Sequence, residues 1–401
     1  MIRCGPQLEQ LEKRLLLTVG VALNDAGDLV VDGDASGDVA IVADGGVYTV
    51  SDDDGDQVVD GEVTGSIRIA LEGEDDGAND NVTIDLGGGS VQNVSANLGE
   101  GDNSLSISNG SVSGRLSYRG GDGSDDVTID VTIGRGIFAR LGGGDNSLTI
   151  RDSVGDPAEG EDAVPEVGGG IIVSGGDGND TVTVDEDAAV ARLIFARLGG
   201  GDNTVNINGD LGSSLVVHGR GGADTLNVSG NVGRSVTASL GDGDNSVEVG
   251  GDIGKNLTVR AGDGNDTVTI AEGAAVGRNV NLRLGGGENT VTHEGATAGN
   301  LLIRTDNAED EDRITIADDS VEGEIITKLG QERFSFASFF ERLLSRFRGR
   351  GRGRGHGGDE GDGGEGDGGE GDGGDGGHRG GGGLRSLFEG IIERFRNRFR
   401  P

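Results

Sequence analysis

The stretch 174-SGGDGNDTVTVDEDAAVARLIFARLGGGDNTVNINGD-210 decides the fold, because it carries one structural unit twice. A glycine-rich acidic loop closes on Asp180, and a short β-branched strand follows with Val182 and Val184 at alternate positions. A small-residue turn and a second strand lead into another glycine loop, which closes on Asn203. Working outward, the loop-closing residue recurs at Asp80, Asn103, Asp125, Asn146, Asp180, Asn203, Asp224, Asn245, Asp266, Asn289 and Asp312, in steps of 21–23 residues with one step of 34. A period that survives eleven units marks stacked supersecondary repeats rather than a compact fold.

Within each unit the alternation has period two: Val205 and Ile207, Leu226 and Val228, or Val268 and Ile270 share one face, while Thr, Asn or Ser take the other. The second strand behaves alike in Leu215/Val217, Val236/Ala238 and Leu257/Val259. Two strands and two turns in some 22 residues suit one coil of a parallel β-solenoid, a β-helix or β-roll, in which like residues stack into ladders. A long antiparallel meander remains the alternative, since strand, GGGDN and strand also make a hairpin. The expected class is therefore all-β, a solenoid over residues 72–330, preceded by a cap or degenerate coils over 21–71. The long step places 152-DSVGDPAEGEDAVPEVGGG-170 in a loop bulging from one coil. Eleven coils at ~4.8 Å make a rod of roughly 50 Å.

With 83 Gly, no Trp and one Met in 401 residues, an ordinary globular core is not expected. The net charge of −38 is uneven: residues 331–401 hold 13 Arg and 12 acids, which leaves 20 basic and 59 acidic groups in the first 330. Such a body repels nucleic acid and attracts cations. A single cysteine, Cys4, excludes an internal disulfide, and the chain has no apolar run of 18 residues that would predict a membrane-spanning helix.

The chemistry sits in the loops. The segments 120-GGDGSDDVT-128 and 175-GGDGNDTVT-183 fit the nonapeptide G-G-x-G-x-D-x-U-x, and 262-GDGNDTVTI-270 fits it apart from Ala261 in the first place. Glycines let the chain turn and direct carbonyl oxygens inward, and the Asp adds an anionic oxygen; hard oxygen ligands in a flexible loop suit Ca²⁺. The repeat resembles that of the RTX, or hemolysin-type, calcium-binding family. The resemblance implies several calcium ions, with Gly120, Gly121, Gly123, Asp125, Gly175, Gly176, Gly178, Asp180, Gly262, Gly264 and Asp266 as ligand-loop residues. Three departures stand against it. The opposite turns (GDLGSS, GNVGRS, GDIGKN) lack the pattern, so any ion column runs along one edge; every second loop closes on Asn; and Arg220 replaces a glycine in 219-GRGGADTL-226. Carboxylates stacked ~5 Å apart repel by about 1 kcal/mol per pair even in water, so a column of acids needs cations or neutral spacers, and Asn supplies spacers. The same pattern also describes solvated acidic turns with Asn ladders and no metal.

The ends differ from the body. In residues 1–20, 8-LEQLEKRLLL-17 resembles the short amino-terminal motif of planctomycete extracellular proteins, which implies export; a bland amphipathic start is the alternative. Residues 331–348 and 384–401 have helical spacing of Phe, Leu and Ile with Arg between, and predict two amphipathic helices joined by a Gly/Asp/Glu/Arg low-complexity linker over 349–383. They suit either a cap or attachment to a membrane surface, the cell envelope or another protein.

His218 and His293 stand alone in the repeats, and no Ser/His/Asp or Cys/His grouping recurs, so no enzyme is expected. The reading is an extracellular or cell-surface, calcium-binding, structural or adhesive solenoid, with a metal-independent adhesin or carbohydrate-binding solenoid as the alternative.

Overall fold

The computed structural model describes residues 19–33, 37–52, 55–71, 78–152, 169–306 and 312–330. The amino-terminal motif, both amphipathic segments and their linker lie outside the described residues. Within them the protein is all-β, a parallel solenoid of about ten turns rather than a meander. Each turn gives one strand to each of two 14-stranded sheets. Sheet A takes the second strand of every unit, such as Ile194–Gly200 and Leu215–Gly221; sheet B takes the strand after the loop, such as Thr181–Val184 and Thr204–Ile207.

Like residues stack on like. Val182 pairs with Val205 and Val205 with Leu226 in sheet B, and Ile194 pairs with Leu215 and Leu215 with Val236 in sheet A. The inward face of every coil is thus an aliphatic ladder buried between the sheets, and polar side chains occupy the outward positions. The extra residues of the long unit leave the stack intact: Ser147 pairs with Thr181 and Gly136 with Gly170, although 153–168 lie outside the description.

Antiparallel strands close the amino-terminal end. Gly20–Leu23 folds back on Leu29–Asp32, and Val47–Asp52 with Gly55–Val58 extend sheet B from Asp38–Asp44. Hairpins there blunt the edges that parallel coils would leave open, while Leu29–Asp32 and Asp38–Asp44 pair in parallel with the strands that follow. One polar pair interrupts the aliphatic column. His293, fully buried where its neighbours are Ile270 and Ile316, shares a 2.8 Å hydrogen bond through Nε2 with Thr297 Oγ1. Thr297 itself stands where the previous coil has Val276. The two polar residues replace two aliphatics together, so the turn closes on a hydrogen bond instead of a methyl contact.

Candidate functional site: the loop edge

The eleven loop-closing residues form one column, and from Asp80 to Asn289 all are buried. Each turns its side chain toward the loop behind it in the stack, where the backbone needs an acceptor. The Asp125 N–H donates to Asn146 Oδ1 at 2.9 Å, the Asn146 N–H to Asp180 Oδ1 at 3.3 Å, the Asp180 N–H to Asn203 Oδ1 at 3.0 Å, and the Asn203 N–H to Asp224 Oδ1 at 3.0 Å. The column continues through Asn245, Asp266 and Asn289 to Asp312. One residue earlier in each loop, a second and exposed column runs the opposite way. Asn179 N–H donates back to Asp145 Oδ1 at 2.7 Å, Asp202 N–H to Asn179 Oδ1 at 2.7 Å, and Ala223 N–H to Asp202 Oδ1 at 2.6 Å. Every loop is thereby tied to both neighbours, with each bond contributing about 0.5–1.5 kcal/mol net.

The two loop types differ at one atom. In an Asn loop the side-chain amide completes its own turn: Asn103 Nδ2 donates to the carbonyls of Gly99 and Gly101 at 3.1 and 3.0 Å, and Asn245 Nδ2 to those of Gly241 and Gly243 at 3.2 and 2.8 Å. The amide also reaches the next Asp, as Asn146 Nδ2 does to Asp180 Oδ1 at 2.8 Å. In an Asp loop the corresponding atom is Oδ2, an acceptor. At Asp125, Asp180, Asp224 and Asp266 this oxygen is buried and lacks a hydrogen-bond partner. Burial pushes the Asp125 carboxyl up to about 7 and those of Asp180, Asp224 and Asp266 up to about 6; hydrogen bonds from the preceding Asn, with the Tyr118 hydroxyl at Asp125 and the Gly176 N–H at Asp180, oppose the shift. The exposed Asp102, Asp145, Asp202 and Asp244 add to it by repulsion. The Tyr118 hydroxyl lies beside Asp125, and burial followed by that carboxylate's charge pushes its ionisation upward.

The residue five places before the closing residue explains the alternation. Leu98, Leu141, Leu198, Leu240 and Leu284 precede the Asn residues and are buried in the core. Gly120, Gly175 and Gly219 precede Asp125, Asp180 and Asp224, and a Cβ there would lie 1.6–1.9 Å from Oδ2. The carboxylate oxygen fills the space that leucine fills in the neighbouring coils. The repeat is therefore a pair of coils with two backbone designs. Asn loops have positive φ four places before the closing residue, as at Gly142 (φ 95°) and Gly199 (φ 90°), whereas Asp loops do not. That difference accounts for Arg220, which occupies this place in an Asp loop where no left-handed conformation is required.

The eleven expected ligand-loop residues lie on one edge, in three separate loops, with Asn coils between them. Asp224 with Gly219, set aside in sequence because of Arg220, has the same geometry as Asp125 and Asp180; the shared register is the signal that finds it. Exposed acids at Asp122, Asp177, Asp242 and Asp263 add an outer row at the same edge, the last two linked by a 2.9 Å bond from Asp263 N–H to Asp242 Oδ1. Among the described residues no three His, Cys, Asp or Glu side chains come close enough together to hold a metal ion. The donors fit a hard cation in kind, being buried carboxylate oxygens in glycine-rich loops, so Asp125, Asp180, Asp224 and Asp266 are the residues that would hold one.

The fold and its side-chain columns define a parallel β-solenoid repeat protein. Compared with known proteins, the chain matches no family model, no curated protein and no solved structure.

Proposed function

We propose that the protein is an extracellular or cell-surface structural solenoid whose loop edge takes up calcium. The observation that supports this reading is the set of four buried Oδ2 atoms, which need either a proton or a cation. In the Asn loops the amide supplies positive hydrogens to the glycine carbonyls; in the Asp loops a calcium ion at Oδ2 would supply the charge that is missing there. Calcium contributes charge neutralisation and loop cross-linking and no catalysis, and in this reading the chain is not an enzyme. Export through residues 1–20, and attachment to an envelope, membrane or protein partner through 331–348 and 384–401, belong to the same proposal.

Isothermal titration of the full-length protein with CaCl2 at pH 8 tests it. The reading expects saturable binding that disappears when Asp125, Asp180, Asp224 and Asp266 are all changed to Asn. No heat in the unmodified protein, or the same heat in the variant, rejects it. A second reading, a metal-independent surface adhesin or carbohydrate-binding solenoid, is favoured by the Asn loops, which are complete without any ion.

A further inference from the structure

Charge is partitioned in this molecule in a way that the −38 total conceals. The eleven strands of sheet A from Val94–Gly99 to Ile325–Lys328 contain no Asp or Glu. At one outward register position they carry Arg119, Arg140, Ser174, Arg197, His218, Ser239, Arg260, Arg283, Arg304 and Lys328 in successive coils. Seven of these ten are permanent cations, and none of the seven forms an ion pair with a described carboxylate. A body with three acids for each base would readily have placed a carboxylate beside them, as Asp28 stands beside Arg68 at 2.9 Å.

The next outward row, two residues earlier on each strand, is apolar or hydroxylic from Ser117 through Phe138, Ile172, Phe195, Val216 and Thr237 to Thr258, and continues with Asn281 and Leu302. Phe138 is 39% and Ile172 is 44% exposed. Cations flank the rings: the Arg115 guanidinium lies 5.4 Å from the Phe138 centroid and Arg197 lies 5.7 Å from that of Phe195. A shallow groove of about 430 Å³ runs over Ser117, Arg119, Phe138 and Arg140. Sheet B presents the contrast, with Thr181, Thr204 and Thr225 outward and its cations few.

We propose that this face of sheet A is a docking surface for an acidic polysaccharide, one bearing carboxylate or sulfate groups. Guanidinium groups bind such anions through paired N–H donors. The phenyl and aliphatic row offers flat apolar surface to sugar rings, and the hydroxyl positions offer hydrogen bonds to sugar hydroxyls. Coils advance by ~4.8 Å, close to the length of one sugar residue in an extended chain, so the cations keep step with repeated anionic groups. The inference supplies the partner for the surface role proposed above and does not depend on calcium.

The test is calorimetric titration of the full-length protein, at low ionic strength with EGTA throughout, using chondroitin sulfate, neutral dextran and single-stranded DNA. Two triple variants serve as probes: Arg119→Ser with Arg140→Ser and Arg197→Ser on sheet A, and Arg151→Ser with Arg278→Ser and Arg313→Ser outside its strands. Circular dichroism verifies that both fold. The proposal expects chondroitin sulfate to bind, dextran not to, and affinity to fall about tenfold or more in the sheet A variant but by no more than about twofold in the other. Absence of binding, an equal loss in both variants, equal affinity for dextran, or tighter binding of the DNA overturns it. Because calcium is withheld, failure of the calcium reading leaves this result intact.

Discussion

Oδ2 of Asp180 occupies the space over Gly175 that a side chain would need, lying 1.7 Å from where a Cβ would stand. This relation couples two positions five residues apart and sets the two-coil repeat. Leucine belongs at the first position when the second is Asn, as Leu198 precedes Asn203, and glycine belongs there when the second is Asp. Gly175→Leu alone is expected to lose about 1–3 kcal/mol through overpacking. Adding Asp180→Asn is expected to recover part of that loss, measured by denaturant unfolding of the three variants. The native Ala261 before Asp266 shows that a single methyl is accommodated, so Gly175→Ala should cost less than Gly175→Leu.

Asn203 is bonded on both sides of its loop. Its Oδ1 accepts from the Asp180 N–H at 3.0 Å, and its Nδ2 donates to Gly201 O at 3.1 Å and to Asp224 Oδ1 at 2.9 Å. Asn203→Ala leaves these buried groups without their partner and is expected to cost about 2–4 kcal/mol, since each unsatisfied group costs about 1–3 kcal/mol. Asn203→Asp keeps the shape but places a third carboxylate between Asp180 and Asp224. It is expected to fold normally at pH 5 and to be markedly less stable at pH 8, by urea denaturation at the two pH values.

The pH dependence of the native protein has a definite sign. Burial raises the folded-state ionisation of Asp125, Asp180, Asp224 and Asp266 above the ordinary value near 3.8. The folded chain therefore binds more protons than the unfolded chain between about pH 4 and 7, and stability falls as pH rises through that window. Changing all four to Asn removes this contribution and is expected to raise the unfolding temperature at pH 8 while changing it little at pH 4.

His293 acts in the opposite direction. Burial lowers its ionisation, so the folded chain holds it neutral while the unfolded chain takes up a proton below about pH 6.5. Replacing His293→Ile together with Thr297→Val restores the aliphatic column of the neighbouring coils. The double variant is expected to gain about 1–2 kcal/mol at pH 8 and more at pH 5, by urea denaturation. His293→Ile alone should gain less, because it leaves the Thr297 hydroxyl buried without its 2.8 Å partner.

Much of this architecture is legible from spacing alone. The period from Asp80 to Asp312 identifies the column, and the alternation at Val182/Val184 or Leu215/Val217 identifies the inward faces, because stacking like on like lets a 22-residue unit bury its aliphatics. What spacing does not convey is hydrogen-bond direction. In sequence, Asn103 and Asn146 look like calcium loops that have lost their acid; in the fold their amides complete the turn, and it is the Asp oxygens that lack a donor. Arg220 looks like damage until the backbone shows that its place requires no positive φ. The cationic row from Arg119 to Lys328 is invisible for another reason: one Arg in about 22 residues is diluted by acids that the fold gathers in the neighbouring loop edge.

The most direct test of the account is the unfolding temperature of the full-length protein between pH 5 and pH 8, in EGTA and in millimolar CaCl2. The temperature is expected to fall with rising pH in EGTA, and calcium to restore it at pH 8 while adding little at pH 5, where protons already occupy Oδ2. A temperature that stays level or rises with pH in EGTA, and does not respond to calcium at pH 8, would contradict it.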